Sequence, residues 1–374
     1  MFEDRPVRAR ISGDARLLSQ LDMMIRALFA SPLRNRLLII GGAIFLVIVA
    51  TTYMQIRLNR WNQPFYDAIE RHNLHEFFIQ LAIFGIITGI LLILNVVQRF
   101  LSETMKLWLR QGLTQDLVQE WLKPDRAHRL SGAGPIGINP DQRMHEDARH
   151  LTELSGDLGV ELIQATVLVV TFIYVLWRIS GSFRLNLFGH GFIIPGYMVW
   201  AAIFYAVSAS LLSYWVGRSL IPRNAQRYQR ESELRAALMR TNEHIVGAQT
   251  HGRGLENARR KILDRLNGVL GAMWRLVFGL TNLTWITAGY GWLTLIAPIL
   301  VAAPAYFSGA LTFGGMMMAV GAFNQVQLSL RWYVDNFSAI ADWRATLLRV
   351  AEFRRALMSC DALGQVKSRE QTHA

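Results

Sequence analysis

Asn139-Pro-Asp-Gln-Arg-Met-His-Glu-Asp147, running on through Glu161, is the stretch whose reading decides the fold. Its Asn-Pro pair is a turn signal, because proline disfavours the helical region for the residue before it. Past Pro140 the pattern turns helical, with carboxylates at Glu146, Asp147, Glu153, Asp157 and Glu161. Glu153, Asp157 and Glu161 recur at every fourth position and so form a row on one helix face. The last of them lies at the edge of an apolar run that ends at Trp177. A tight turn feeding an acid-faced helix into such a run is the foot of a membrane bundle, and it suits the cytosolic end of a transporter.

The rest of the chain agrees. It has 374 residues, 52% hydrophobic and 18% charged, with a mean hydropathy of +0.23. That is too apolar for an ordinary soluble domain. Residues 37–56 and 77–97 carry no charge, and 158–177 carry only Glu161. Residues 185–217 are again uncharged, and the longest such tract, 276–330, holds two spans with a hairpin marked by Pro298, Pro304 and Ser308-Gly309. About 20 helical residues at ~1.5 Å each cross a ~30 Å hydrocarbon core. Six spans are therefore expected. The expected organisation is a cytosolic segment 1–36, a transmembrane domain 37–350 with helical extensions, and a cytosolic tail 351–374 without a nucleotide-binding domain. The Arg-rich start, with no apolar core directly after Met1, does not read as a cleavable signal peptide.

Charge placement orients the bundle. Of the 39 Lys and Arg residues, 34 fall in the N-terminal segment, the 98–157 and 218–275 segments, and the tail from Arg331. By the positive-inside pattern both termini and both long polar segments are cytosolic. This accounts for the net charge of +12 without nucleic acid. The single cysteine, Cys360, rules out an intrachain disulfide framework. Residues 225–266 read as one continuous helix and 101–123 as another. Such extensions are either solvated hairpins or the long cytosolic helices of an exporter-type transporter.

Several blocks carry a resemblance. Asn59-Arg-Trp-Asn-Gln-Pro-Phe-Tyr-Asp-Ala-Ile-Glu70 occupies the first outside loop, and the Asn139 block stands between spans 2 and 3. The second polar segment has Glu233, Arg240, Asn242-Glu243 and Glu256; span 6 opens with Ser308-Gly-Ala-Leu-Thr-Phe-Gly-Gly315 and leaves through Trp343-Arg344-Ala345 and Arg349. The chain resembles SbmA/BacA-like peptide transporters and their ABC-fused relatives, including the peroxisomal fatty-acyl half-transporters, over about residues 50 to 355. The resemblance implies an all-α membrane protein with six transmembrane helices and the exporter-type ABC transmembrane-domain fold, working as a swapped-helix homodimer. It implies a transporter, not an enzyme, that imports peptides or peptide-like molecules across a bacterial inner membrane, driven by protons. The alternatives are the permease half of an ABC system (peptide, cobalamin-like or lipid substrate) working with a separate ATPase, and a non-transporting remnant or scaffold.

A P-loop needs Gly-Lys followed by Ser or Thr. Lys106, Lys123, Lys261 and Lys367 follow Met, Leu, Arg and Val, so the chain is expected not to hydrolyse ATP by itself. Leu130-Ser-Gly-Ala-Gly134 is superficially like an ABC signature loop and reads as a flexible turn. Neither a cofactor nor a metal site is expected.

Proton coupling would need a carboxylate reaching a water-filled cavity. Glu161 is the first candidate, with Asp157 and Glu153 as a relay in which like-charge spacing favours the neutral form of one member; the alternative is three solvated acids near the headgroups. The glutamate of the stand-alone importers maps near Gly156 in this chain, a departure from their pattern. Asp335 is either a further candidate or the partner of Arg331 four residues earlier. Asn282, Thr284, Asn324, Gln325 and Gln327 line a substrate path or tie helices together. Trp61, Phe65, Tyr66 and Asp67 form an outer gate or an interfacial belt. Asn139, Asp141, Arg143, Glu146, Asp147, Glu233, Arg240 and Glu243 make up the cytosolic coupling region implied by the resemblance. Arg354 and Arg355 read as a solvated helix end, and His190 as a surface residue in an outside loop.

Overall fold

The computed structural model describes residues 33–124, 126–131, 140–180, 182–187, 190–247 and 253–372. Asn139 and residues 132–134 of the signature-like loop lie outside them. The helices are α1 (Arg34–Glu70), α2 (Leu74–Trp121), α3 (Arg126–Ser131), α4 (Pro140–Ser180), α5 (Tyr197–Gly217), α6 (Leu220–Gly247), α7 (Arg253–Phe307), α8 (Phe313–Asp335) and α9 (Phe337–Thr372). Among the described residues, five helical segments are long and apolar enough to cross a membrane: α1, α2, α4, the α5–α6 run and α7. The sixth expected span is α8, uncharged from Phe313 through Leu330, whose Asn324, Gln325 and Gln327 dilute its apolarity. The protein is a multi-pass, all-α membrane protein, with one small departure. Residues 182–195, expected to be loop and the approach to a span, form an antiparallel hairpin of β1 (Ser182–Leu187) and β2 (His190–Pro195), with His190 opposite Leu187.

Three local expectations are overturned. First, residues 59–70 are not a loop: α1 continues through Pro64 to Glu70, and the chain turns at Arg71–Asn73. There the Asn73 side chain accepts a hydrogen bond from the Glu76 amide at 3.1 Å and caps α2. Second, Pro298 and Pro304 lie inside α7, and neither ends it. Proline is tolerated in membrane helices because neighbouring groups re-satisfy the carbonyls it frees. The turn falls at Ser308–Thr312, as the Ser308-Gly309 signal marked: Gly309 takes φ +76° and the Ala310 amide bonds the Ala305 carbonyl at 3.0 Å.

Third, residues 225–266 are not one helix. Arg265 pairs with Glu233 at 2.7 Å, and Arg223 reaches the Arg275 carbonyl at 3.2 Å. Facing positions fall on one helix as they rise on the other, so α6 and α7 form a long antiparallel hairpin that reverses between Gly247 and Arg253. The breaker signal was present in Gly247, Gly252 and Gly254, but charges on most turns of both flanks hid it.

The chain divides into two compact units. The first comprises residues 1–175, 312–318 and 335–374; the second comprises 176–311 and 319–334. In the first, Leu113, Leu117, Leu130, Met144, Leu151, Val350, Phe353 and Leu357 form one buried cluster. Its α9 members recur at helical spacing and put one stripe of that helix inside. Leu130, expected in a flexible turn, is only 1% exposed within α3. A second cluster joins Ile40, Ile44 and Ile48 of α1 to Val160 of α4. In the second unit, Ala202, Ala206 and Ala209 are buried along α5, and small residues at that spacing let helices approach closely.

Candidate functional site

The foot of α4 begins with Pro140, Asp141 and Gln142, followed by one π-helical turn at Arg143–Asp147. That turn places both Met144 and Asp147 inside. Asp147 is 7% exposed and accepts hydrogen bonds from two arginines: Arg143 at 2.7 Å and Arg349 of α9 at 3.2 Å. One buried carboxylate thus clamps the expected coupling block to the last helix. Two further bonds follow the same contact upward. His150 meets Asp342 at 2.6 Å, and the Trp343 indole donates to the Ser155 hydroxyl at 2.8 Å. On the other side of α9, Arg354 makes a two-pronged pair with Asp116 of α2 at 2.7 and 3.2 Å. The Asp116 carboxylate raises the Arg354 guanidinium above its already high ordinary value, so this cation is permanent. Arg354 is therefore no solvated helix end. Neither Asp116 nor its pairing had a local signal; only the spacing of Leu347, Val350, Phe353 and Leu357 pointed to a docked α9.

The other coupling candidates disperse. Asp141 and Glu146 are exposed, the latter 3.4 Å from the Gln142 amide. Glu233 lies on the α6–α7 hairpin, held by Arg230 at 3.1 Å and Arg265 at 2.7 Å. Arg240 and Glu243 are exposed further along α6.

The acid row on α4 is divided by its partners. Glu153 pairs with Arg149 at 3.2 Å. Asp157 pairs at 2.9 Å with Lys106 of α2, whose ammonium also meets Glu103 at 2.9 Å. Each of these acids faces a cation rather than the next acid. Gly156 makes room for this: a Cβ there would stand 2.3 Å from the Lys106 side chain. Glu161 is exposed on α4, and Asp335 is exposed at the end of α8. Lys106, buried to 10% exposure of its side chain, is the residue that sequence reasoning missed here.

The block 59–67 has two faces. Asn59, Gln63 and Asp67, four apart, meet the start of α8. Asn59 donates to the Met318 carbonyl at 3.0 Å, and Asp67 accepts from the Gly314 amide at 2.8 Å and the Thr312 hydroxyl at 3.1 Å. Thr312 in turn accepts from the Gly315 amide at 3.0 Å. Asp67 thus supplies a negative charge to the amide end of α8, where the helix dipole favours it. On the other face Trp61 stacks on Phe65 at 4.4 Å and donates to the Gln80 carbonyl of α2 at 2.7 Å, while Tyr66 meets Phe313 edge-on at 5.9 Å. These four candidates are engaged in packing α1 against α2 and α8.

The polar groups of the last two spans split. Asn282 and Thr284 are exposed on α7, with the Thr284 hydroxyl donating to its own helix at Leu280. Asn324 and Gln327 are three apart on α8, and the side-chain carbonyl oxygen of each is buried with no hydrogen-bond partner among the described residues; Gln327 is 1% exposed. Gln325, between them, is half-buried. Nearby in the same unit, Tyr205 bonds the Tyr290 carbonyl at 2.5 Å and Thr294 at 3.0 Å, and its ring lies 6.1 Å from Phe323. A buried acceptor left unpaired costs about 1–3 kcal/mol. Replacing Gln327 with leucine removes that cost, so the melting temperature in detergent is expected to rise by roughly 2–4 °C. A fall instead would show that the carbonyl has a partner in the working protein.

Residues 24–300 match the family described as ABC transporter transmembrane region 2. Over 312 residues the chain is 26% identical to ABC transporter D family member 2, chloroplastic, of Arabidopsis thaliana, covering 83% of this chain and 42% of that protein. It is 24% identical over 315 residues to the inner membrane ABC transporter ATP-binding protein YddA of Escherichia coli, covering 83% and 56%. An uncharacterised ABC transporter ATP-binding protein of Synechocystis is 25% identical over 278 residues, covering 74% and 40%. The chain spans about half the length of these relatives.

Proposed function

We propose, from the premise that the chain belongs to the ABC transporter transmembrane region 2 family, that it is the membrane half of an ATP-driven transporter and takes its energy from an ATPase domain outside residues 1–374. The observation that carries this reading is the clamped α9. Its Arg349 is fixed to the foot of α4 and its Arg354 to α2, so a force applied to α9 passes directly to two membrane helices. The relatives named as ATP-binding proteins support the same energy source. A purely proton-driven carrier is less favoured, since Asp157 and Glu153, two members of the expected acid row, are each held by a cation.

The working unit in this reading is a homodimer in the bacterial inner membrane, with spans exchanged between subunits. The placement of Lys and Arg supports cytosolic termini. A peptide or peptide-like cargo follows from the resemblance to SbmA/BacA-like transporters. Catalysis belongs to the ATPase, and this chain makes and breaks no bond.

The test uses the full chain in sealed liposomes and a labelled proline-rich peptide. With an imposed pH gradient and no ATP, no entry is expected. Entry is expected once a partner ATPase subunit is reconstituted with it and ATP is supplied on its side. Protonophore-sensitive entry without ATP, abolished by Glu161→Gln, would overturn the ATP reading. A dimer that moves nothing under either condition would support the scaffold alternative.

A further inference from the structure

The link between α4 and α5 is a folded element whose two faces differ. The apolar run of α4 ends at Trp177, Arg178 follows, and the uncharged α5 begins at Tyr197. Both helices therefore meet the membrane boundary at these ends. There the chain is clasped. The Met198 amide donates to the buried Ser180 hydroxyl at 3.3 Å. Gly196 takes φ +65°, and a Cβ on it would stand 2.4 Å from the Trp177 ring. The β1–β2 hairpin starts from this clasp, six residues to a strand and about 20 Å long.

Alternate residues of a pleated strand share a face. The register sets Phe183, Leu185 and Leu187 of β1 opposite Ile194, Phe192 and His190 of β2, so one face carries five large apolar residues and a histidine at its tip. Ser182, Arg184, Asn186 and Gly191 belong to the other face, where Ile193 is the one large aliphatic residue. A two-stranded sheet of this kind is marginal in water unless something packs on its apolar side. Among the described residues neither strand pairs with any other, and no helix of the same unit runs close along the hairpin. Ile194 is 40% exposed.

We propose that the hairpin lies on the membrane surface, with its Phe183, Leu185, Phe192 and Ile194 face in the upper acyl chains of the leaflet and its Arg184 face toward headgroup phosphates and water. The position of the clasp selects lipid as the cover. A hairpin that starts at the membrane boundary holds its apolar face at the depth where a leaflet presents acyl chains. Trp177 and Trp200, 44% and 58% exposed at the clasp and the first turn of α5, are rings that favour this level. Unpaired strand edges, costly in the hydrocarbon core, find water and headgroups here. The proposal rests on the membrane embedding of α4 and α5 and is independent of what drives transport.

The experiment uses the full chain with Cys360→Ser, which removes its one native thiol. A nitroxide label is placed on one introduced cysteine at a time, in phosphatidylcholine–phosphatidylglycerol liposomes. Collision of the label with oxygen, which enters the bilayer, is compared with collision with a water-soluble nickel chelate. Oxygen is expected to prevail at Phe183→Cys, Leu185→Cys and Phe192→Cys, and nickel at Arg184→Cys, Asn186→Cys and Gly191→Cys, the ratio swinging several-fold at each step along a strand. Nickel prevailing on both faces would place the hairpin in water, and apolar-face labels reached by neither reagent would place protein or cargo on it. Either result overturns the proposal. Where a labelled variant fails to fold, trypsin acting on the unlabelled protein in nanodiscs gives a second reading. Cleavage after Arg184 is expected to be about ten-fold faster in Phe192→Asp, and to stay at the parent rate in Gly191→Asp, one residue earlier on the other face. Equal rates in the two variants would also overturn it.

Discussion

A Gly314→Ala protein is expected to lose at least about 3 kcal/mol of stability, seen as a fall on the order of 10 °C in melting temperature. The added Cβ would stand 2.1 Å from the Gln63 carbonyl oxygen and 2.6 Å from the Asp67 carboxylate. The first of these is backbone within α1, seven residues before its end, so no rotamer change relieves it. The first turn of α8 must move off α1, and it takes the Gly314–Asp67 and Asn59–Met318 bonds with it. Gly289→Ala provides the comparison. Its Cβ meets nothing within 4 Å, and alanine favours helix by about 1 kcal/mol over glycine. That variant should be as stable as the parent or slightly more so. Asp67→Asn should fall between, costing about 1 kcal/mol through the lost charge at the helix end. If Gly314→Ala melts with the parent, the close seat of α8 on α1 is not present in the working protein.

Asp147→Ala should cost about 2–4 kcal/mol, because it leaves two arginines facing an apolar cluster without their shared anion. The exposure of their side chains, 30% for Arg143 and 38% for Arg349, keeps the figure below that of a fully buried pair. The diagnostic is local. Trypsin should reach α9 in Asp147→Ala at a rate at least ten-fold above the parent, while the apolar spans stay protected. Combining Asp147→Ala with Arg349→Ala should cost less than the two single losses added together, since the second change removes a charge already orphaned. Simple additivity would show that the pair is not coupled and would remove α9 as the route of force into α4.

The span plan was legible because long uncharged runs in a chain this charged elsewhere admit few readings. The hairpin between α6 and α7 was not, because helical propensity and charge spacing are the same on both arms and only glycines mark the reversal. The two prolines of α7 misled for a related reason. A rule from soluble proteins, that proline ends a helix, weakens where neighbouring helices and hydroxyls can take up the freed carbonyl. The block 59–67 was conspicuous as a pattern, yet its meaning depended on which face met which helix. A four-residue stripe toward α8 and a second face toward α2 cannot be told from an aromatic belt by sequence alone. At the foot of α4 the acids were visible but their cations were distant: Lys106 and Asp157 are 51 residues apart, and Arg349 and Asp147 are 202 apart. Long-range ion pairs leave no local trace.

The paired helices α6 and α7 also have a mechanical meaning. From Arg275, the last charge before the uncharged tract of α7, to Arg253 is 22 residues, an arm of about 33 Å at the rise of an α-helix. Two helices pinned side by side by Glu233, Arg230 and Arg265 bend far less readily than one. A tilt of about 10° at Arg275 would therefore swing the far end by about 6 Å, and a push of that size at the far end would return the same tilt. The hairpin trades displacement for torque: small forces at its tip become large ones among the membrane helices.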